Sequence, residues 1–114
     1  MTDVIAFFPG QGAQHTGMLS DLAAEFPVVE ETFREASEAI NQDLWALSQN
    51  GPAEDLNLTY NTQPALLTAS VAIWRILKEK CPAMNVVAGA GHSLGEYSAL
   101  VAAGALDFSD AVRL

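Results

Sequence analysis

Basic side chains are scarce in this sequence, and the scarcity limits the partners that the chain can bind. Five lysines and arginines stand against 14 aspartates and glutamates, so the formal net charge is −9 at pH 7 over 114 residues. A surface with this charge repels the phosphates of a nucleic acid backbone. We therefore expect no nucleic acid partner, and any anionic ligand needs basic groups that this stretch does not supply.

Cysteine and long apolar runs are scarce as well. Cys81 is the only cysteine, which excludes a disulfide within the chain and fits a reducing compartment. No apolar run reaches the ~18 residues that span a bilayer, and the first residues lack the basic and apolar regions of a signal peptide. These absences predict a cytoplasmic protein with no membrane association.

Apolar residues make up half of the chain, which favours a folded domain of the α/β class. Short β-prone runs at Val4–Phe8 and Val86–Ala88 predict two buried strands that pair in parallel. Two strands alone cannot form a stable sheet beneath several helices. The pattern therefore predicts that residues 1–114 are the front part of a larger α/β domain with a parallel sheet and flanking helices.

Helical periodicity and helix-ending residues predict the remaining elements. The longest predicted helix runs from about Thr62 to Lys80 and has Pro64 in its first turn. Gly104 is predicted to follow the end of a helix, and Ser109 to cap the start of the next one. The other helices are predicted over about 19–25, 29–40, 43–49, 96–103 and 110–114.

A glycine-flanked serine follows the second predicted strand, in the run Gly91-His92-Ser93-Leu94-Gly95. A strand, a sharp turn and a helix of small residues form the setting of a nucleophile elbow, in which the serine hydroxyl projects from the turn. The glycines allow a close approach of the backbone. The Leu94 N–H, at the positive end of the following helix, is placed to stabilise an oxyanion. The pattern indicates that Ser93 is an acyl-accepting nucleophile.

Other interpretations of this turn remain open from the residues alone. Ser93 could simply cap the helix, whereas a phosphate-binding loop would require a Lys-Ser/Thr pair that is absent here. His92 adjoins Ser93, but neighbouring side chains at a strand end point in different directions, so we expect it to pack beside the turn. No spacing brings His15 to Ser93. The serine therefore lacks an evident base, which a hydroxyl nucleophile requires at neutral pH.

A second loop rich in glycine follows the first predicted strand, at the edge where open α/β sheets place their sites. There the Gln11 N–H could be a second oxyanion donor, with Gly10 and Gly12 allowing its approach. Gln63, predicted to start the longest helix, could direct its amide into the same pocket. A surface position for Gln63 is the alternative.

Three motifs together resemble one enzyme family, the malonyl-CoA:acyl-carrier-protein transacylases of bacterial type II fatty acid synthesis. They are Phe8-Pro9-Gly10-Gln11-Gly12-Ala13-Gln14, Thr62-Gln63-Pro64-Ala65 and Gly91-His92-Ser93-Leu94-Gly95-Glu96-Tyr97. Their order is that of the family, and the resemblance extends over essentially all 114 residues. The acyltransferase domains of polyketide synthases are similar but usually lie within larger chains.

The resemblance implies a ping-pong transfer through an acyl-serine. Ser93 would take the malonyl group from malonyl-CoA and pass it to the phosphopantetheine thiol of acyl carrier protein. The backbone amides of Gln11 and Leu94 would form the oxyanion hole, while Gln63, Gly10 and His92 would line the substrate pocket. The resemblance implies an α/β-hydrolase-like fold, no metal, no bound cofactor, and a monomer when full length.

The sequence also departs from the family pattern. The family's general-base histidine lies far downstream of the nucleophile, and its carboxylate-binding arginine falls a few residues beyond Leu114, so Arg113 is not assigned that role. A ferredoxin-like subdomain is absent as well. We therefore expect residues 1–114 to be an incomplete portion of one acyltransferase domain, inactive alone. The alternatives are a serine hydrolase or thioesterase with the same elbow, and a non-catalytic fragment.

Overall fold

Two parallel strands form the sheet of the part that the structure describes. The computed structural model describes residues 2–8, 10, 12, 14–81, 84–91, 95–104 and 106–113. Strand β1 is Thr2–Phe8 and strand β2 is Met84–Gly91. The two strands are hydrogen-bonded neighbours in a parallel sheet. Both predicted strands and their parallel pairing are therefore confirmed.

The described residues form seven helices. In chain order these are α1 Ser20–Glu25, α2 Val28–Ile40, α3 Leu44–Asn50, α4 Ala53–Leu56, α5 Thr59–Lys80, α6 Gly95–Ala102 and α7 Phe108–Arg113. Helices α1 to α5 lie between the two strands along the chain. None of the helices in these residues has the length and apolarity needed to cross a membrane.

Two short helices differ from the sequence prediction. Helix α4 was not predicted, because four residues are too few to show a helical period; its anchor is Leu56, which is fully buried. Helix α7 begins at Phe108, and the side chain of Asp107 caps it by accepting the N–H of Asp110 at 3.3 Å. The prediction of Ser109 as the cap is therefore wrong, since Asp107 already accepts from the first turn.

Helix α5 begins at Thr59, three residues before its predicted start, so Pro64 lies in its second turn. A proline there leaves the carbonyl four residues earlier without its usual donor. Hydrogen bonds at the start of α5 stabilise this part of the helix. The N–H groups of Asn61 and Thr62 both donate to the Leu58 carbonyl at 2.8 Å. The hydroxyl of Thr62, which is fully buried, donates to the carbonyl of Leu56. Gln63 is therefore the fifth residue of α5, not its start.

The hydrophobic core lies mainly between α2 and α5. Phe33 of α2 is fully buried and meets the ring of Trp45 edge to face, with centroids 5.1 Å apart. Burying one such side chain contributes about 1.5–3 kcal/mol. Other members of the core are Val29, Ala36, Leu44, Leu56, Ala65, Leu67, Val71, Ala72, Phe108, Ala111 and Val112.

The second half of α5 is only partly covered. Apolar residues occur on nearly every side of α5, a pattern that predicts a helix packed between layers, yet Ile73 and Leu77 are 38% and 39% exposed. The prediction is wrong for these residues. An apolar side chain is more stable when it is buried, but the sequence does not show whether another element packs against it. Leu100 of α6 is exposed as well.

A single arginine joins three helices at the opposite side of α5. Arg75 donates to the Thr32 hydroxyl at 3.1 Å and to the Glu35 carboxylate at 2.9 Å, both on α2. Its guanidinium carbon also lies 5.1 Å from the ring centroid of Phe108 on α7. These contacts hold the middle of α2 and the start of α7 against α5.

Candidate active site

The carboxyl ends of the two strands coincide. Phe8, the last residue of β1, is the register partner of Gly91, the last residue of β2. Neighbouring strands lie about 4.8 Å apart, so Phe8 and Gly91 lie side by side. Gln11 comes three residues after Phe8, and Ser93 comes two residues after Gly91. The structure thus places the start of both predicted site loops at one edge of the sheet.

The flanks of the serine turn match the expected strand–turn–helix arrangement. Strand β2 ends at Gly91 and helix α6 begins at Gly95, which is buried. Three of the predicted site residues, His92, Ser93 and Leu94, lie between these flanks and outside the described residues. Gln11 also lies outside them, whereas Gly10 is described and half-buried. The roles given to these residues stay predictions.

The loop after β1 is tied to the helices that follow it. Near its beginning, the Gly12 N–H donates to the side-chain oxygen of Gln14 at 2.8 Å. The amide nitrogen of Gln14 in turn donates to Asn57 Oδ1 at 2.8 Å. Near its end, the Gly17 N–H donates to the carbonyl of Ser48 at 2.7 Å. The loop therefore reaches α1 with fixed points at both ends.

Gln63 lies on a cleft of about 520 Å³. Tyr60, Gln63 and Pro64 of α5 form one wall, and Tyr97 of α6 and Arg113 of α7 contribute to the others. The Gln63 side chain is exposed, and Tyr97 is 40% exposed. Tyr97 is the third residue of α6, the helix that follows the serine turn in the sequence. Gln63 is thus on the surface, but on a concave part of it.

The titratable groups nearest these elements already have partners. His15 Nδ1 lies 3.3 Å from the carbonyl oxygen of Thr16, within its own loop. Arg113 donates to the Ala39 carbonyl and to the Asp110 carboxylate, each at 3.2 Å. Across the described ranges, no set of three or more His, Cys, Asp or Glu side chains is arranged to hold a metal ion.

The contacts of two residues in this region, Gln14 and Tyr97, were not predicted from the sequence. Gln14 and Tyr97 both belong to the recognised motifs, yet a polar residue in a loop and a tyrosine on a helix are more often simple surface residues. Only their contacts distinguish them: Gln14 bridges Gly12 and Asn57, and Tyr97 lines the Gln63 cleft. No periodicity or spacing in the sequence indicates either contact.

Comparison with known proteins identifies a single family. The acyl transferase domain model matches residues 6–114. The malonyl CoA-acyl carrier protein transacylase of Escherichia coli (strain K12) is 63% identical over an alignment of 117 residues, which covers 100% of this chain and 37% of that protein. The chain thus spans little more than a third of the length of this relative.

Solved structures agree with this result. An acyl carrier protein S-malonyltransferase from Vibrio cholerae is 56% identical with a TM-score of 0.91, over 99% of this chain and 36% of that one. A malonyl-transacylase in complex with a type II PKS acyl-carrier protein is 59% identical with a TM-score of 0.93, over the same shares. The described fold is therefore shared with about a third of each of these enzymes.

Proposed function

The chain belongs to the acyl transferase domain family, and from this membership we propose that it carries the nucleophile of a malonyl transferase. Ser93 takes a malonyl group from malonyl-CoA and delivers it to the phosphopantetheine thiol of acyl carrier protein, in fatty acid biosynthesis. We also propose that β1 and β2 belong to a larger parallel sheet of an α/β-hydrolase-like domain.

The coincidence of the strand ends carries this proposal. Because Phe8 and Gly91 are register partners, Gln11, three residues after one strand, and Ser93, two residues after the other, can meet at one acyl carbon. Two backbone N–H groups from separate loops are what an oxyanion hole requires. The motif at residues 91–95 then supplies the hydroxyl, and the loop after β1 supplies the second donor.

The reaction follows from these roles in two balanced steps. The Ser93 hydroxyl gives its proton to a base and attacks the thioester carbonyl, and the Gln11 and Leu94 amides stabilise the oxyanion. The carbon–sulfur bond then breaks, and coenzyme A leaves with a proton. The carrier-protein thiol repeats the sequence in reverse on the malonyl-serine. By the family resemblance, the base is a histidine far downstream of Ser93, and neither His15 nor His92 takes that role.

Several further assignments belong to the same proposal. The Gln63 cleft, with Gly10 and His92, takes the acyl group. A thioester is already activated, so the transfer uses no metal and no bound cofactor. Acyl carrier protein is the acceptor, which the complex formed by a relative supports. We assign the full-length protein to the cytoplasm as a monomer.

Intact mass spectrometry tests the proposal directly. Two proteins are compared: the 114-residue chain, and a chimera in which this chain replaces the matching segment of the E. coli transacylase. We expect the chimera to gain one malonyl group on incubation with malonyl-CoA and to lose it to acyl carrier protein. Ser93→Ala should abolish the gain, whereas Ser20→Ala, at an exposed serine of α1, should not.

The other outcomes separate the alternatives. Release of malonate without transfer to carrier protein would identify a serine hydrolase. A chimera that folds and takes up no malonyl group would refute the proposal. Uptake by the chimera but not by the 114-residue chain is the result expected if catalysis needs groups from the rest of the domain.

A further inference from the structure

One side chain connects the loop after β1 to the segment that precedes helix α5. Gln14 accepts the Gly12 N–H through its oxygen and donates to Asn57 through its nitrogen, each at 2.8 Å. Asn57 ends α4, one residue before the cap of α5. Because α5 carries Gln63 at its fifth position, the Gln14 side chain links the loop after β1 to the wall of the cleft.

Among the described residues, Gln14 is the hydrogen-bond partner seen for the Gly12 backbone. Its φ is +114°, a conformation that other residues rarely adopt, and a Cβ built there meets no atom within 4 Å. A glycine in open space retains most of its conformational freedom, and fixing one residue costs about 1–2 kcal/mol. A hydrogen bond to its N–H fixes the plane of the peptide that joins residues 11 and 12.

The position of that plane matters for the proposed oxyanion hole. The Gln11 N–H belongs to the adjacent peptide, so the direction in which it points depends on the same short stretch of backbone. Oxyanion donors act because they are oriented before the charge develops. A loop that had to become ordered during the reaction would instead raise the barrier.

We infer that Gln14 is a positioning residue for malonyl transfer: its amide holds the peptide after Gln11 in place by anchoring it to Asn57. This inference rests on the proposed function. Gln14 touches no reacting atom, and it acts only through the backbone of the loop and the start of α5.

The test uses the chimera defined above and single-turnover kinetics with malonyl-CoA. Gln14→Ala should slow the acylation of Ser93 at saturating malonyl-CoA by roughly tenfold. The apparent dissociation constant for malonyl-CoA should change less than about twofold, because the affected group acts on the transition state. Gln49→Ala is the matched control. Gln49 donates to the Met18 carbonyl at 2.8 Å and so ties the far end of the same loop, and its loss should leave the acylation rate unchanged.

Charge variants provide a rescue that a purely structural role would not predict. In Gln14→Glu the carboxylate still accepts from Gly12, and the Asn57 amide can rotate to donate to it. In Asn57→Asp the carboxylate still accepts from Gln14. Both single variants should acylate Ser93 at a rate within about threefold of that of the parent chimera. The double variant places two carboxylates together with no donor between them, so its acylation rate should fall roughly tenfold below the product of the singles.

Each outcome decides the question. A Gln14→Ala rate equal to that of Gln49→Ala, or a double variant no slower than the product of the singles, would overturn the positioning role. If Gln14→Ala does not fold, the acylation rate of the double variant, compared with the rates of its two single variants, tests the positioning role instead. A parent chimera that takes up no malonyl group would instead refute the proposed function, and the positioning role with it.

Discussion

Replacing Arg75 with alanine should loosen the junction of three helices without touching the candidate site. Arg75 of α5 reaches Thr32 and Glu35 on α2 and stacks on Phe108 of α7. Thr32 is fully buried, and its own hydroxyl donates to the carbonyl of Val28 at 2.6 Å. Removing the guanidinium therefore removes the hydrogen bond to Thr32, the ion pair with Glu35 and the contact with the Phe108 ring.

The three contacts contribute unequally. The side chains of Arg75 and Glu35 are 34% and 43% exposed, so water screens their ion pair, which contributes no more than about 1 kcal/mol. The hydrogen bond to Thr32 contributes about 1 kcal/mol, and the contact with Phe108 about 0.5–1 kcal/mol. We expect Arg75→Ala to lower the free energy of unfolding by about 2 kcal/mol.

Urea unfolding of the 114-residue chain, followed by circular dichroism, measures this change. Arg34→Ala is the matched control, because Arg34 is an exposed arginine of α2 with no ion pair recorded in the described ranges; it should change the free energy by less than about 0.5 kcal/mol. Arg75→Lys keeps the charge but loses the planar fork, so it should fall between Arg75→Ala and the parent.

The salt dependence decides which contact dominates. In 1 M NaCl the screening length falls to about 3 Å, which removes most of the exposed ion pair but little of the other two contacts. More than half of the Arg75→Ala effect should therefore persist. An effect that disappears in salt would show that the ion pair alone carries it, and an effect no larger than that of Arg34→Ala would refute the reasoning altogether.

Two further predictions concern the candidate site. Gly12→Ala and Gly17→Ala both place a side chain at positive φ in open space. Each should therefore lower the free energy of unfolding in urea by about 1–2 kcal/mol. Only Gly12→Ala should also slow acylation of the chimera, and equal slowing by both variants would contradict the placement of Gly12 beside the oxyanion loop. Thr62→Val removes the buried hydroxyl that donates to Leu56 and should lower the urea midpoint more than Thr62→Ser, which keeps it. The reverse order would show that the methyl group, and not the hydrogen bond, secures the start of α5.

The sequence predicts the elements that a single local pattern defines. An apolar run followed by Gly91 and Gly95 was enough to predict strand β2 and helix α6. Gly104 was predicted to follow that helix, and its φ of +78° confirms the left-handed conformation. These features depend on a few adjacent residues, whose preferences agree with one another.

Contacts between distant polar residues could not be predicted in this way. Gln14 and Asn57 are 43 positions apart, and neither lies in a periodic segment. The start of α5 was placed too late because Thr59, Tyr60 and Asn61 are weak helix formers. Its first turn is stabilised by hydrogen bonds from Asn61 and Thr62 to carbonyls of the preceding segment, those of Asp55, Leu56 and Leu58. For Ser93, Gln11 and Leu94, the motif remains the evidence, since they lie outside the described residues.

The pairing of β1 with β2 also determines when the site can assemble during folding. Thr2 is the partner of Met84, so their pairing closes a loop of about 80 residues that contains α1 to α5. Closing a chain of that length costs about 4 kcal/mol of entropy beyond a constant, whereas α2 and α5 can gain contacts over shorter separations. Contacts between distant residues form slowly. We therefore expect the sheet edge formed by Phe8 and Gly91 to appear late in folding, after the contacts between α2 and α5.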